Sequence, residues 1–387
     1  MAAHTPTTSF GLYVHIPFCL QKCRYCDFYS VTDLSLVEPY LQAIQREIQI
    51  RREPESPVDT IYMGGGTPSV LKPNGIATIL KALTASFRIL PKAEITMEVN
   101  PGTVDSSDLK EYATMGINRL SIGIQSFDEE RLRFLGRIHT AQEAAHIVTG
   151  ARHAGFSNIS LDLISGLPGQ TRKTWTNDLH KAVAYLPEHL SCYMLTYETG
   201  TPLDHGRQRG EFRPLDEALM GDLYTTTCQF LQRKGYRQYE TSNFACSENF
   251  YSRHNRKYWQ FHPYLGFGPS AHSYRDNTRS WNCRDAAAYI RFLEESRLPV
   301  ADTETLSREQ QIIEFIYLGL RQTDGIGTDA FYHRFGVRFE TLFSNTINLL
   351  KHRELLRVEK GRCYLTAPGM LLLDSIVDMF VSQDFIG

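Results

Sequence analysis

A chain of 387 residues, 42% hydrophobic and 22% charged, carries enough apolar material for two or three packed domains. Its formal net charge of −2 gives no electrostatic reason to expect nucleic acid as a partner. It has no apolar run of roughly 18 residues to span a membrane, and the opening MAAHTPTTSF lacks the basic and apolar regions of a secretion signal, so residues 1–9 are expected to be a disordered lead of a cytoplasmic protein.

From residue 10 to about residue 200 strand-like and helical patterns alternate. Apolar runs predict strands over residues 12–16, 60–63, 95–99, 119–124, 159–164 and 190–195. Helical periods fill 37–52, 75–87, 107–115, 141–154 and 173–185 between them. Alternation of this kind means a parallel sheet with helices outside it; a doubly wound sheet and an incomplete barrel both satisfy the pattern. Beyond residue 200 the alternation stops. Residues 201–213 read as a Pro/Gly/Arg loop and 216–234 as one amphipathic helix. Residues 301–387 read as a separate unit, with helices over 307–320, 329–334, 339–352 and 368–380 and a hairpin turning at Lys360-Gly361. Helices plus a hairpin suggest a winged-helix-like domain, here too acidic for DNA and better suited to a lid or docking surface.

The chemistry concentrates after the first strand, in Cys19-Leu-Gln-Lys-Cys23-Arg-Tyr25-Cys26. Disulfides are the weakest reading of thiols so close together. A zinc site would want a fourth ligand, for which only His15 and Asp27 are near. A cubane iron–sulfur cluster usually takes four cysteines, so three leave one iron open to a substrate. The other five cysteines are scattered and read as free thiols. Gly64-Gly65-Gly66-Thr67-Pro68 follows the second strand. It is neither a Walker loop nor GxGxxG; it is either a tight turn or a close backbone approach to a ligand. Glu98 and Asn100 end the third strand, Gln125 ends the fourth and Asp162 lies in the fifth, so one sheet edge collects cysteines, glycines and polar groups. Taken singly, Glu98 or Asp162 is more commonly explained as a strand-end carboxylate that caps a helix.

C-x3-C-x-aromatic-C, with Tyr25 in the aromatic slot, resembles the radical S-adenosylmethionine (SAM) superfamily. YVHIPFC…CRYCDF is similar to the oxygen-independent coproporphyrinogen III oxidase (HemN) family, most closely its HemW branch, over roughly residues 10–380. The resemblance implies an α/β fold, a (β/α)6 partial TIM barrel over residues 10–200. A family-type extension over 201–300 would complete the site, ahead of the C-terminal domain. It implies a [4Fe-4S] cluster on Cys19, Cys23 and Cys26, and SAM held by Tyr13, Tyr25, Gly65, Gly66, Thr67, Glu98, Gln125, Arg137 and Asp162, with Thr196 near the adenine. It further implies reductive cleavage of SAM to a 5′-deoxyadenosyl radical, and hence an electron donor for the cluster.

His254-Asn-Arg-Lys-Tyr258-Trp259 resembles a motif typical of the HemW branch. A histidine among aromatics is either a packed ring with satisfied nitrogens or an axial ligand to heme, so His254, Tyr258 and Trp259 are heme candidates, with His272 a secondary one. The glycine-rich Leu265–Ser273 is expected to close over the SAM site. The resemblance implies a heme chaperone that passes heme to an acceptor protein, which could be peripherally membrane-bound. The alternative is the oxidase, which decarboxylates coproporphyrinogen III to protoporphyrinogen IX. Phe28 stands where the oxidases carry a fourth cysteine, and only twelve residues precede Tyr13 where they have a longer extension. True oxidase activity is therefore not expected.

Overall fold

The structure, a computed structural model, describes residues 9–381. Apart from Ser9, the expected N-terminal lead lies outside the described residues. From residue 10 the chain runs β1 (Phe10–Ile16), α1 (Val37–Ile50), β2 (Glu53–Gly65), α2 (Lys72–Ser86), β3 (Phe87–Val99), α3 (Ser106–Thr114), β4 (Arg119–Gln125), α4 (Glu129–Leu135), α5 (Ala141–His153), β5 (Ile159–Ser165), α6 (Arg172–Ala184) and β6 (His189–Met194). The six strands pair in parallel in chain order. Local chemistry sets the helix ends. Thr171 caps α6 and shares a capping box with Thr174, which seats Trp175 in the core. The sequence reading missed α4, which Asp128 caps and Gly136 ends in the left-handed conformation.

Side chains alternate across each strand. One row, including Leu12, Val14, Ile61, Met63, Leu120, Ile122, Leu161 and Leu163, packs with Ile44, Ile79, Ile147 and Leu179 of the helices into the main apolar core. The other row is polar: Tyr62 on β2, Glu98 on β3, Arg119 and Ser121 on β4, Asp162 on β5 and Ser191 on β6. It faces the concave side.

The next region departs from the sequence reading in two places. Residues 201–213, read as a loop, contain helix α7 (Pro202–Gln208). Thr201 accepts from the Asp204 amide and Pro202 takes the first turn, so capping outweighs the Pro/Gly composition. After α8 (Glu217–Arg233), the short β7 (Arg237–Gln238) and β8 (Asn243–Ala245) extend the sheet beyond β6, and α9 (Arg253–Trp259) follows. The glycine-rich segment does not close over the site. It forms β9 (Tyr264–Phe267), which pairs in parallel with the outer side of β1. Its glycines serve backbone packing: Gly268 has a φ of 97°, and a Cβ there would meet the His15 carbonyl oxygen at 2.3 Å. β10 (His272–Arg275), β11 (Thr278–Asn282), α10 (Ala286–Glu294) and β12 (Val300–Thr305) complete this side. Among the described residues the sheet has twelve strands with β12 and β7 at its two edges, so it is open.

The C-terminal unit comprises α11 (Arg308–Leu320), β13 (Ile326–Gly327), α12 (Thr328–Phe335), α13 (Phe339–Leu342), α14 (Ser344–His352), β14 (Leu356–Glu359), β15 (Arg362–Leu365), α15 (Ala367–Leu371) and α16 (Leu373–Val381). The β14–β15 hairpin turns at Lys360-Gly361, both at positive φ. The two helices read as continuous over 339–352 and 368–380 each break, at Phe343 and Leu372. A second apolar core, with Phe331, Phe335, Phe339, Phe343 and Phe380, fills the unit, and Tyr224 of α8 joins it.

Candidate functional site

The cysteine loop leaves β1 and is pinned at its neck, where the Cys19 amide donates to the Val31 carbonyl (3.0 Å) and the Val31 amide to that of Pro17 (2.7 Å). Opposite it, the glycine turn after β2 is tied to the same segment: the Gly66 amide donates to the Ile16 carbonyl (2.8 Å) and the Thr67 amide to that of Phe18 (2.7 Å). The Thr67 hydroxyl lies 3.4 Å from Cys19 Sγ. A cavity of about 880 Å³ opens here, at the C-terminal ends of β1 to β6. Cys19, Cys23 and Cys26 line it, as do Tyr25, Gly65, Gly66, Thr67, Glu98, Gln125, Arg137, Asp162 and Thr196. Tyr13 shares the concave face, its ring 6.3 Å from that of Tyr62, but stands outside the cavity wall.

Several of these side chains are held by unusual geometry. The β4–β5 register slips between Gly123 and Gln125, and Gln125 takes a φ of 67°, a conformation most side chains avoid. Arg137 donates to the Gly123 carbonyl (2.7 Å) and to Cys23 Sγ (3.5 Å). Neither Glu98 nor Asp162 caps a helix. Glu98 accepts from the Tyr62 hydroxyl at 2.8 Å, and burial, opposed by that bond, pushes its carboxyl up to about 7. Burial also raises Asp162, which accepts from Ser121 at 3.0 and 3.1 Å.

The residues present fit an iron–sulfur cluster and SAM. Burial pushes Cys19 up and Cys26 up to about 11, so neither is a reactive thiolate by itself; a metal centre would stabilise the deprotonated sulfur. Among the described residues no three His, Cys, Asp or Glu side chains converge on a single ion. A cluster would take each thiolate on a different iron, so the three thiols need not converge on one ion. His15 is not a fourth ligand: Nδ1 pairs with the Tyr13 hydroxyl and Nε2 with the Tyr29 carbonyl. Two carboxylates and Gln125 offer acceptors to an ammonium or to hydroxyls. The buried Nε atoms of Arg119 and Arg137 lack hydrogen-bond partners, leaving donors for an anionic group.

The heme candidates lie outside this cavity. His254 is fully buried, with Nδ1 2.9 Å from the Thr60 hydroxyl and Nε2 2.7 Å from the Tyr258 hydroxyl. Trp259 is half-buried beneath the Arg321 guanidinium, and His272 is exposed on β10, stacked on Trp281. Reading the sequence missed the wall residues Tyr62, Arg119, Ser121, Ser191 and Tyr193. A signal existed: each is two residues from another polar or glycine position in its strand. Tyr317, Arg321, Met370 and Leu371 of the C-terminal unit also line the cavity, with no such signal.

The chain matches the radical SAM superfamily over residues 13–182 and the HemN C-terminal domain over residues 306–372. It is 33% identical to the heme chaperone HemW of Bacillus subtilis over 378 residues, covering 96% of this chain and 99% of that one. It is 41% identical to the heme chaperone HemW of Escherichia coli over 268 residues, covering 68% and 69%. The solved structure of coproporphyrinogen III oxidase (HemN) from Escherichia coli, a radical SAM enzyme, superposes with a TM-score of 0.84 at 25% identity, covering 98% of this chain and 92% of that one. Fold, thiol-lined cavity and relatives agree: the chain belongs to the HemW family of the radical SAM superfamily.

Proposed function

We propose that this protein is a heme chaperone, which binds heme and transfers it to an acceptor protein, and that it carries a [4Fe-4S] cluster and SAM in the thiol-lined cavity. The observation that carries the reading is that cavity, whose lining brings Cys19, Cys23 and Cys26 together with the glycine turn, Glu98, Gln125, Arg137 and Asp162. Cys19, Cys23 and Cys26 would hold the cluster. Tyr25, Gly65, Gly66, Thr67, Glu98, Gln125, Arg137, Asp162 and Thr196 would hold SAM, with Tyr13 behind them. A cluster bound there would supply the single electron that reductive SAM chemistry requires, drawn from an electron donor protein. The chain's own part is to fix SAM against the wall and limit solvent: the buried Arg119 and the half-buried Asp162 line the cavity, and the C-terminal unit lines it as well.

The relatives named as heme chaperones favour this reading over the oxidase. So does Phe28, 67% exposed at the cavity rim, which puts no fourth thiol there. Eight free cysteines suit the reducing cytoplasm. No helix among the described residues is long and apolar enough to cross a membrane, so a membrane-bound acceptor would be met at the surface. Heme contact is proposed through His272, Trp259, Tyr258 and His254; His254 as folded would have to leave both its hydroxyl partners first.

The test is an anaerobic heme titration of cluster-loaded protein, wild type against His254→Ala and His272→Ala. A saturable Soret shift near one heme per chain supports the chaperone, and a weakened shift in either variant assigns the ligand. Absence of saturable binding together with multiple turnovers of coproporphyrinogen decarboxylation would return the oxidase.

A further inference from the structure

Helix α9 runs beneath the cavity and is fixed at both ends. The amides of Arg253 and His254 donate to the Glu94 carboxylate (both 3.1 Å). Lys257 Nζ lies 2.7 Å from Asp59 and 2.9 Å from the Ser9 carbonyl. The His254 ring has room because residue 11 is glycine: a Cβ there would meet Thr60 Oγ1 at 2.8 Å and His254 Cε1 at 3.1 Å. The ring is held by two hydroxyls, and its face stacks on Tyr62, with centroids 5.3 Å apart and planes 28° from parallel. The Tyr62 hydroxyl reaches Glu98 at 2.8 Å, and Glu98 also accepts from the Gly65 amide, in the turn whose Thr67 touches Cys19. A continuous set of contacts therefore runs from α9 through Tyr62 and Glu98 to the cysteine loop.

We infer that His254 is a positioning residue for the cofactor cavity: by stacking on Tyr62 it fixes the phenol that aims Glu98 at the bound ligand. The inference rests on the reading of the cavity as the SAM site. Two further contacts tie α9 to the wall: Asn255 lines the cavity directly, and Trp259 lies under Arg321, another wall residue. Burial holds the His254 imidazole neutral, with its pKa lowered to about 3, which suits a ring shared between two hydroxyls. Removing the ring leaves a void beside Tyr62 into which the phenol can rotate, so Glu98 loses its fixed direction without being touched.

The test measures SAM affinity of cluster-loaded, anaerobic protein in wild type, His254→Ala, Tyr62→Phe, the double variant and Glu98→Ala. His254→Ala and Tyr62→Phe should each weaken SAM roughly tenfold, and the double variant should be no weaker than the worse single, because both act through Glu98. Unchanged SAM affinity in His254→Ala, with or without loss of the heme Soret shift, overturns the inference; so do additive effects. Glu98→Ala separates the two claims: if it weakens SAM and His254→Ala does not, the positioning role fails and the SAM site stands. If Glu98→Ala has no effect, the SAM site itself is wrong. Should His254→Ala not fold, Tyr258→Phe, which removes one hydroxyl and keeps the ring, must weaken SAM for the inference to survive.

Discussion

At the scale of single residues, the cavity gathers charge that the fold keeps away from water. Glu98 shows what this does to the pH response. Burial raises its carboxyl to about 7 in the folded chain, whereas an unfolded carboxyl keeps its ordinary value of 4.5. Between those values the folded state binds more protons, so this group's contribution to stability is complete below pH 4.5 and is lost as pH rises through 7. Urea unfolding of cofactor-free protein at several pH values should show the effect by difference. From pH 5 to pH 8 Glu98→Gln should gain roughly 2 kcal/mol relative to wild type, the full shift being reduced because the carboxyl partly faces the open cavity. A difference independent of pH would mean that Glu98 is ionised throughout.

Among elements, the cavity depends on two loops laid against each other, the cysteine loop after β1 and the glycine turn after β2. Gly66 is where they meet. A Cβ there would stand 2.8 Å from the Phe18 carbonyl oxygen and 2.9 Å from that of Ile16, both backbone atoms that cannot rotate away. Gly66→Ala must therefore push the cysteine loop outward. We expect a loss of about 1–3 kcal/mol in chemical denaturation and poorer retention of cluster, read as iron and sulfide per chain. The same change at Gly116, where a Cβ meets nothing within 4 Å, is a control for the glycine substitution itself, although its φ of 91° adds some strain.

For the whole molecule, the question is what holds the C-terminal unit over the cavity. Arg321, at the end of α11, reaches 2.7 Å from Glu240, which is fully buried and also accepts from the Ser242 amide and the Thr241 hydroxyl. The guanidinium lies over Trp259 as well. Arg321→Ala would strand the Glu240 charge, at a cost of about 3–5 kcal/mol, and should loosen the unit from the sheet. Thermal unfolding should become less cooperative, and limited proteolysis should cut between the two parts. Pairing it with Glu240→Gln should restore most of the loss; no recovery would mean that Arg321 acts by packing on Trp259.

The parallel strands, most of the helices and the cysteine and glycine loops are legible in the sequence because these are local. Period-two and helical spacing and thiols seven residues apart or closer need no distant partner to be read. That Glu98, Gln125 and Asp162 share one cavity was legible for the same reason: each stands at a strand position that a parallel sheet turns toward one edge. The rest depends on contacts between distant parts of the chain. Arg119 reads as an ordinary surface charge until the sheet curves and encloses it. Leu265–Ser273 read as a cover from its glycines and its likeness to the family's pattern, but pairing with β1 across more than 250 residues of chain made its first residues part of a strand. His254 had the composition of a ligand, and the removal of a side chain at Gly11, far away in sequence, gave its ring a closed place beside Tyr62. That the C-terminal unit walls the cavity is likewise a property of packing between two apolar cores, to which no spacing in the sequence points.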